Sequence, residues 1–230
     1  MHLSSTDIAQ MIDLSCVRTT SSTKDIDEMV DAAITYGFGQ VSVMQCFIPY
    51  TKNLIIDTNI RLIGNVSFPS GSDTTSIKIL QAQEMVKAGC DEIDLVMNIG
   101  MLRSGRLSEV ENDIRSVAKV VNPLPLKVII EIMYLSEQEV RHACRICINS
   151  GAAFVKTGTG WADRGTTLKD VKLIKSIVGD QIKIKASGGI RNVETLVEMY
   201  KEGARRFGIN LKSGIQILDE ILRKGDIITF

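Results

Sequence analysis

Phe154-Val155-Lys156-Thr157-Gly158-Thr159-Gly160 and Ile184-Lys185-Ala186-Ser187-Gly188-Gly189-Ile190 share one plan: an apolar run closed by a lysine, then small residues and glycines. The two lysines lie 29 positions apart. A lysine that closes an apolar strand is costly to place unless it is paired or at work. Two of them at matching places in neighbouring repeats imply one site holding two amines.

Working outward, the same strand-then-helix unit recurs along the chain. The apolar runs Met11-Ile12-Asp13-Leu14, Gln40-Val41-Ser42-Val43-Met44, residues 60–66, 92–97 and 126–132, the two lysine segments and residues 205–209 read as eight strands. Between them lie amphipathic stretches at residues 23–36, 75–88, 107–121, 136–149, 167–178, 193–202 and 214–223, most of them stopped by a glycine such as Gly37, Gly89 or Gly151. Apolar strands alternating with helices imply a parallel sheet covered by helices. At about 29 residues per unit, the tally predicts a closed eight-fold α/β barrel, the TIM (β/α)8 architecture, as a single domain over residues 1–230. The competing fold, an open doubly wound sheet, usually has fewer strands, and no glycine-spaced dinucleotide fingerprint follows the first strand.

Composition narrows the partners. With 27 basic and 27 acidic residues the net charge is zero, which disfavours an electrostatic nucleic-acid or membrane partner. The N-terminal residues lack the basic start and apolar core of a signal peptide, and no apolar run approaches the roughly 18 residues that span a bilayer. Five scattered cysteines argue for a reducing compartment, so a cytoplasmic location is expected. Cys144 and Cys147 have metal or redox spacing but lie mid-helix with no second pair, and His2 and His142 offer no basis for a histidine-based metal or triad mechanism. Trp161 reads equally as a lid over the pocket or as loop packing.

In such a barrel the site lies at the C-terminal ends of the strands. Asp13, Ser42, Asp94, Asn98, Glu131, Lys156 and Lys185 stand there. A buried ion-pair network of the two lysines with Asp94 and Glu131 would account for them structurally. As a set at one rim they point instead to chemistry. Lys127 and Lys183 lie earlier in their strands, where they fill the lower barrel or pair with a carboxylate.

An amine attacks a carbonyl only when neutral, and with a free pKa near 10.4 about one lysine in 2,500 is neutral at pH 7. Lowering that pKa by about three units is worth roughly 4 kcal/mol, and a second ammonium in a low-dielectric pocket supplies it. Asp94 and Lys185 would then relay the proton leaving or returning to carbon. This is the logic of a class I aldolase. Gly188-Gly189 after the seventh strand and Gly208 in the eighth fit a phosphate held on backbone N–H groups, with Gly158 and Gly160 adding a further cradle.

The segments Asp91 to Gly100, Phe154 to Gly160 and Lys185 to Arg191 resemble the deoxyribose-phosphate aldolase family, and the resemblance extends from about Ile12 to Leu218. It implies an aldolase without metal or cofactor, cleaving 2-deoxy-D-ribose 5-phosphate to D-glyceraldehyde 3-phosphate and acetaldehyde, and usually a homodimer or higher homo-oligomer. It assigns the Schiff base to Lys156, the tuning of its pKa to Lys185, and proton transfer to Asp94 with Lys185. Asp13 matches a position near the substrate hydroxyls, and Gly160, Gly188 and Gly189 match phosphate contacts. The candidate substrate-contacting set is completed by Ser42, Lys127, Thr157, Gly208 and Asn210.

The chain departs from the family pattern at several points. Ser42 replaces a common cysteine, Met44-Gln45 replaces asparagine-proline, Ser67 a glycine, Arg18-Thr19 a lysine-proline, and Gly158 a frequent serine. After the eighth strand a small serine-rich turn is replaced by Ile209-Asn210-Leu211-Lys212-Ser213-Gly214, expected to form a longer and bulkier loop in which Lys212 supplies charge. The alternatives are therefore the same chemistry on another sugar or sugar phosphate, and a non-catalytic sugar-phosphate-binding barrel.

Overall fold

Eight parallel strands close on themselves in chain order in the computed structural model, which describes residues 2–229. A short strand β1 (His2–Ser4) and helix α1 (Ser5–Met11) precede the barrel, which begins with β2 (Ile12–Cys16), α2 (Thr23–Tyr36), β3 (Gln40–Val43), α3 (Ile48–Leu54) and β4 (Arg61–Val66). It continues through α4 (Thr75–Lys87), β5 (Glu92–Val96), α5 (Ile99–Arg103), α6 (Leu107–Val121), β6 (Leu126–Ile129), α7 (Glu137–Asn149) and β7 (Phe154–Lys156). The last turn of the barrel is α8 (Leu168–Val178), β8 (Lys183–Ser187), α9 (Val193–Lys201), β9 (Ala204–Asn210) and α10 (Leu211–Arg223), followed by β10 (Ile227–Thr229). The expected barrel is thus present, its eight strands overlapping the eight predicted runs.

Local chemistry explains the boundaries. Ser22, Ser136 and Thr167 each cap the helix that follows, and Asp25, Glu139 and Asp170 three residues on return a bond to the capping backbone. Valines and isoleucines on the outer faces of the strands pack against the apolar faces of the helices, forming one buried sheath that includes Val41, Ile93, Val128, Val155 and Ile184. Cys144 and Cys147 belong to this sheath. Among the described residues no helix is long and apolar enough to cross a membrane.

One ion pair lies inside the sheath. Lys78 on α4 is fully buried and donates to Asp113 on α6 at 2.6 Å and to the Val96 carbonyl at 3.2 Å. Removing one partner of a buried pair strands the other charge, at a cost of about 3–5 kcal/mol. Asp113→Ala is therefore expected to lower the stability read from urea unfolding by that amount. A loss below about 1 kcal/mol would show that the ammonium finds another acceptor.

The chain ends meet away from the strand tips. β10 pairs antiparallel with β1, from His2 opposite Thr229 to Ser4 opposite Ile227. α1 leads directly into the start of β2, and its Ala9 carbonyl accepts from Gly39, just before β3 begins. The paired ends therefore lie beneath the barrel, at the end where its strands start. The tail from Gly225 does not cover the site: through Thr229 it runs along β1, while Met1 and Phe230 lie outside the described residues.

Candidate active site

Alternate side chains of a barrel strand point inward, so residues two apart share the interior. Many of those positions are polar here: Asp13 and Ser15 on β2, Glu92 and Asp94 on β5, Lys127 on β6, Lys156 on β7, Lys185 and Ser187 on β8, and Arg206 on β9. Arg206 shares the inner face of β9 with Gly208, and it pairs with Lys185 because the register between β8 and β9 slips once after Ile184 pairs with Ala204. The extra residue, Arg205, turns out to stack over Tyr200 at 4.7 Å.

These side chains form a network of ion pairs. Asp94 takes Lys156 at 2.7 Å, Lys185 at 2.9 Å and Lys127 at 3.2 Å. Lys185 also pairs with Asp13, whose other oxygen takes Arg206 at 2.9 Å. Arg206 reaches Glu92 at 3.5 Å, and Glu92 returns to Lys127 at 2.5 Å. Asp13, Lys185, Asp94, Lys127, Glu92 and Arg206 thus close a ring of alternating charge, and Lys156 hangs from it at Asp94.

The electrostatics follow. Burial opposes ionisation of Asp94, but the ammoniums of Lys127, Lys156 and Lys185 overcome it and hold the carboxyl well below its ordinary value. Burial also opposes the charge on Asp13, where Lys185, Lys127 and Arg206 win and lower its pKa. The two amines split. Burial pushes Lys156 down to about 8, with Lys185 reinforcing it and Asp94 only partly opposing. For Lys185 the same burial is outweighed by Asp13 and Asp94, and its pKa is raised. One amine is held charged beside one that readily loses its proton, the arrangement a carbonyl-attacking lysine requires.

Above the ring lie two adjoining spaces. A chamber of about 20 Å³ is lined by Lys156, Lys185, Asp13, Ser42, Asn65 and Phe68. It has room for about one water molecule. It adjoins an open cavity of about 520 Å³ through shared walls at Ser15, Val17, Thr159, Ser187 and Gly208. The floor of the larger space is backbone: Gly160, Gly188 and Gly189 line it, all with positive φ. A side-chain carbon on Gly189 would lie 2.9 Å from the Cα of Gly165, so the two loops meet only as bare backbone. A carbon on Gly208 would lie 2.5 Å from Ser187 Oγ and 3.4 Å from Lys185 Cε. Arg191 and Lys212 bring cationic side chains to this cavity.

Of the residues singled out in the sequence, Lys156, Lys185, Asp13, Ser42, Gly160, Gly188, Gly189, Gly208 and Asn210 line these spaces, and Asp94 lies beneath them, paired with Lys156 and Lys185. Lys127 and Thr157 do not reach either space. Lys127 is fully buried under Asp94, spent on Glu92 and Asp94. The Thr157 hydroxyl is buried against Thr166 at 2.6 Å and accepts from Ser187 N, so it stitches β7 to β8 and the following loop. Lys183 is exposed over the Phe154 ring at 5.7 Å.

Glu131 corrects the expected ion-pair network. It stands outside the ring, in left-handed backbone at φ 43°, and accepts from Thr159 N at 3.1 Å and Thr159 Oγ1 at 2.5 Å. Burial raises its pKa. Asn98 caps α5 by accepting from Met101 N. Trp161 bridges two loops at the rim: its indole donates to the Val17 carbonyl at 3.1 Å and its ring meets Phe68 edge-on. The segment after the last barrel strand is not a loop. β9 runs to Asn210, whose side chain accepts from Ser213 N and starts α10 at Leu211, because an asparagine three residues before a free N–H is a helix cap.

Sequence reasoning did not single out Glu92, Arg206 or Asn65. Asn65 donates to Ser42 Oγ and to the Val43 carbonyl, fixing the wall of the small chamber. The available signal for Glu92 was its position two residues before Asp94, and for Arg206 its position two before Gly208.

Comparison with known proteins bears on this geometry. The family model described as DeoC/LacD family aldolase matches residues 7–221. A deoxyribose-phosphate aldolase of Sinorhizobium medicae is 40% identical over 213 residues, covering 92% of this chain and 86% of its own. One from Dictyoglomus turgidum is 40% identical, covering 93% and 96% respectively. The solved aldolase QR15 superposes with a TM-score of 0.89 at 37% identity, over 95% of this chain and 97% of that one.

Proposed function

The chain belongs to the DeoC/LacD family of aldolases, and on that footing we propose that it cleaves 2-deoxy-D-ribose 5-phosphate reversibly to D-glyceraldehyde 3-phosphate and acetaldehyde, with Lys156 as nucleophile. The observation that carries this reading is the pair of buried amines sharing Asp94, one poised near neutrality at about 8 and one held charged.

The neutral amine of Lys156 attacks the aldehyde carbon of the open-chain sugar, and loss of water gives the protonated imine. The bond between the second and third carbons then breaks, its electrons moving into the iminium to form an enamine. The proton of the third-carbon hydroxyl leaves through Asp94, aided by Lys185, as the phosphorylated aldehyde forms. Protonation of the enamine and addition of water release acetaldehyde and restore the amine. The one-water chamber beside Lys156 and Lys185 suits a single relaying water. Asp13 and Ser42 stand on the same wall, where they would meet substrate hydroxyls.

The phosphate end would lie in the larger cavity, against the backbone of Gly160, Gly188 and Gly189 and the start of α10, with Arg191 and Lys212 supplying charge. A single charge-assisted contact at an exposed position is worth about 1.4 kcal/mol, roughly tenfold in affinity. Lys212→Ala is thus expected to raise KM for the phosphorylated sugar about tenfold with kcat little changed, and to leave the unphosphorylated sugar unaffected. Steady-state retro-aldol assays across phosphorylated and free deoxy-sugars test both statements, and no turnover on deoxyribose 5-phosphate would overturn the substrate assignment. The segment from Ile209 to Ser213, which departs from the family pattern and brings Asn210, Leu211 and Lys212 to the cavity wall, favours a second substrate within the same chemistry: a different phosphorylated deoxy-sugar that outcompetes deoxyribose 5-phosphate in that panel would take its place.

A cytoplasmic setting is supported by the five free thiols, three of them in the core. A homo-oligomer is supported by apolar side chains exposed on consecutive elements, Ile34 on α2, Leu54 on α3, Ile56 just after it, and Ile77 and Leu80 on α4.

A further inference from the structure

We infer that Arg206 and Glu92, which lie beneath the cavity and line neither of its spaces, act through the closed charge ring to set the protonation of Lys156. The inference rests on the reading of Lys156 as the Schiff-base nucleophile. Four cations (Lys127, Lys156, Lys185 and Arg206) face three carboxylates (Asp13, Glu92 and Asp94). Each ring cation touches two carboxylates: Lys185 bridges Asp13 and Asp94, Lys127 bridges Asp94 and Glu92, and Arg206 bridges Glu92 and Asp13. Lys156 touches only Asp94, and Asp94 is already shared with two other ammoniums. The surplus positive charge is therefore relieved most easily at Lys156.

Two further charges lie at the edge of this cluster, the Arg61 guanidinium and the Glu131 carboxylate, and being of opposite sign they leave the surplus of one positive charge unchanged. β3 contributes the neutral side chains of Gln40 and Ser42, and β4 contributes Arg61, which is half-exposed and pairs with Glu92 at 3.2 Å. Glu131, at the end of β6, is bonded to Thr159. In a buried cluster, deleting a cation makes each remaining ammonium easier to hold, and deleting a carboxylate makes it harder. Arg206 and Glu92 therefore act on Lys156 with opposite signs. Arg206 shares the inner face of β9 with Gly208, and the slip in register sets it opposite Lys185, within reach of both carboxylates.

The test is the pH dependence of borohydride trapping with acetaldehyde, followed as the rate of adduct formation on Lys156. Arg206→Met is expected to move the acid limb to higher pH and Glu92→Gln to move it lower, each by on the order of one pH unit. Arg61→Gln, at a half-exposed side chain, is expected to move it in the direction of Arg206→Met by less. This variant carries the test if a ring substitution prevents folding. Distortion of the barrel alone would slow trapping without shifting the two limbs in opposite directions. Limbs that stay in place, or that move together, overturn the inference. Absence of any adduct on Lys156 in the unsubstituted protein overturns instead the reading on which it rests.

Discussion

Lys156→Ala is expected to reduce retro-aldol turnover by roughly 10⁴-fold or more, the scale on which covalent catalysis is lost with its nucleophile. Borohydride in the presence of substrate should reduce an adduct onto Lys156 in the unsubstituted protein and none in the variant. An adduct that persists in the variant would place the Schiff base elsewhere, with Lys185 the first alternative. The pH profile supplies a second reading of the same group. With its pKa pushed down to about 8, roughly one Lys156 in eleven is neutral at pH 7, against about one in 2,500 for a free lysine. Because the neutral form attacks, kcat/KM should rise with pH and level off above about 8. Linkage gives the accompanying sign for stability. Between about 8 in the folded chain and about 10.4 in the unfolded one, the unfolded state binds more protons at this lysine, so its contribution to stability increases with pH across that window. Lys156→Ala should remove that increment, which titration of the unfolding free energy against pH would detect.

Asp94→Asn is expected to separate adduct formation from turnover. The carboxylate holds three ammoniums within 3.2 Å and is fully buried. Its neutralisation removes the attraction that keeps Lys156 protonated, so the amine stays available and trapping of an aldehyde persists. Turnover, which needs a proton moved off the cleaving hydroxyl and back to carbon, should fall by about 10²–10⁴-fold, the usual contribution of a positioned acid–base group. Stability should fall as well, by about 3–5 kcal/mol, since the ring keeps its cations and loses its central anion. Turnover within tenfold of the unsubstituted enzyme would remove Asp94 from the proton path. Loss of trapping together with turnover would make it a structural support for Lys156 instead.

The parts of the site legible in the sequence are those where a charge interrupts an apolar strand near its end. Lys156, Lys185 and Asp94 stand out there because no packing argument accounts for them, and the barrel's eight units follow from strand and helix periods of two and 3.6. Glu92 opens a strand, a place where charged residues ordinarily meet solvent, and its inward turn is visible only once the barrel closes around it. Arg206 stands two residues before Gly208 and so shares its face, but the slip in register that sets it opposite Lys185 is a backbone event with no local sequence signature. The expected loop after the eighth strand is a helix start, whose signal is Asn210 capping Ser213 N three residues on, against bulky residues that by length alone read as a turn. Pairing of β1 with β10 joins residues more than 220 positions apart, beyond the reach of any windowed pattern.

That pairing makes the polypeptide nearly circular. Residues 2 and 229 sit opposite one another, behind a ring whose eight units have no privileged first member. A short linker joining them would span a gap the fold has already closed, so little chain entropy would be lost in making the bond. The chain could then be opened at the exposed turn around Gly105, where a side-chain carbon would meet nothing within 4 Å, with every strand keeping its neighbours. Permuted in this way, the order of the units along the chain would become a free variable, and the direction of the eight strands, with the site at their tips, would remain.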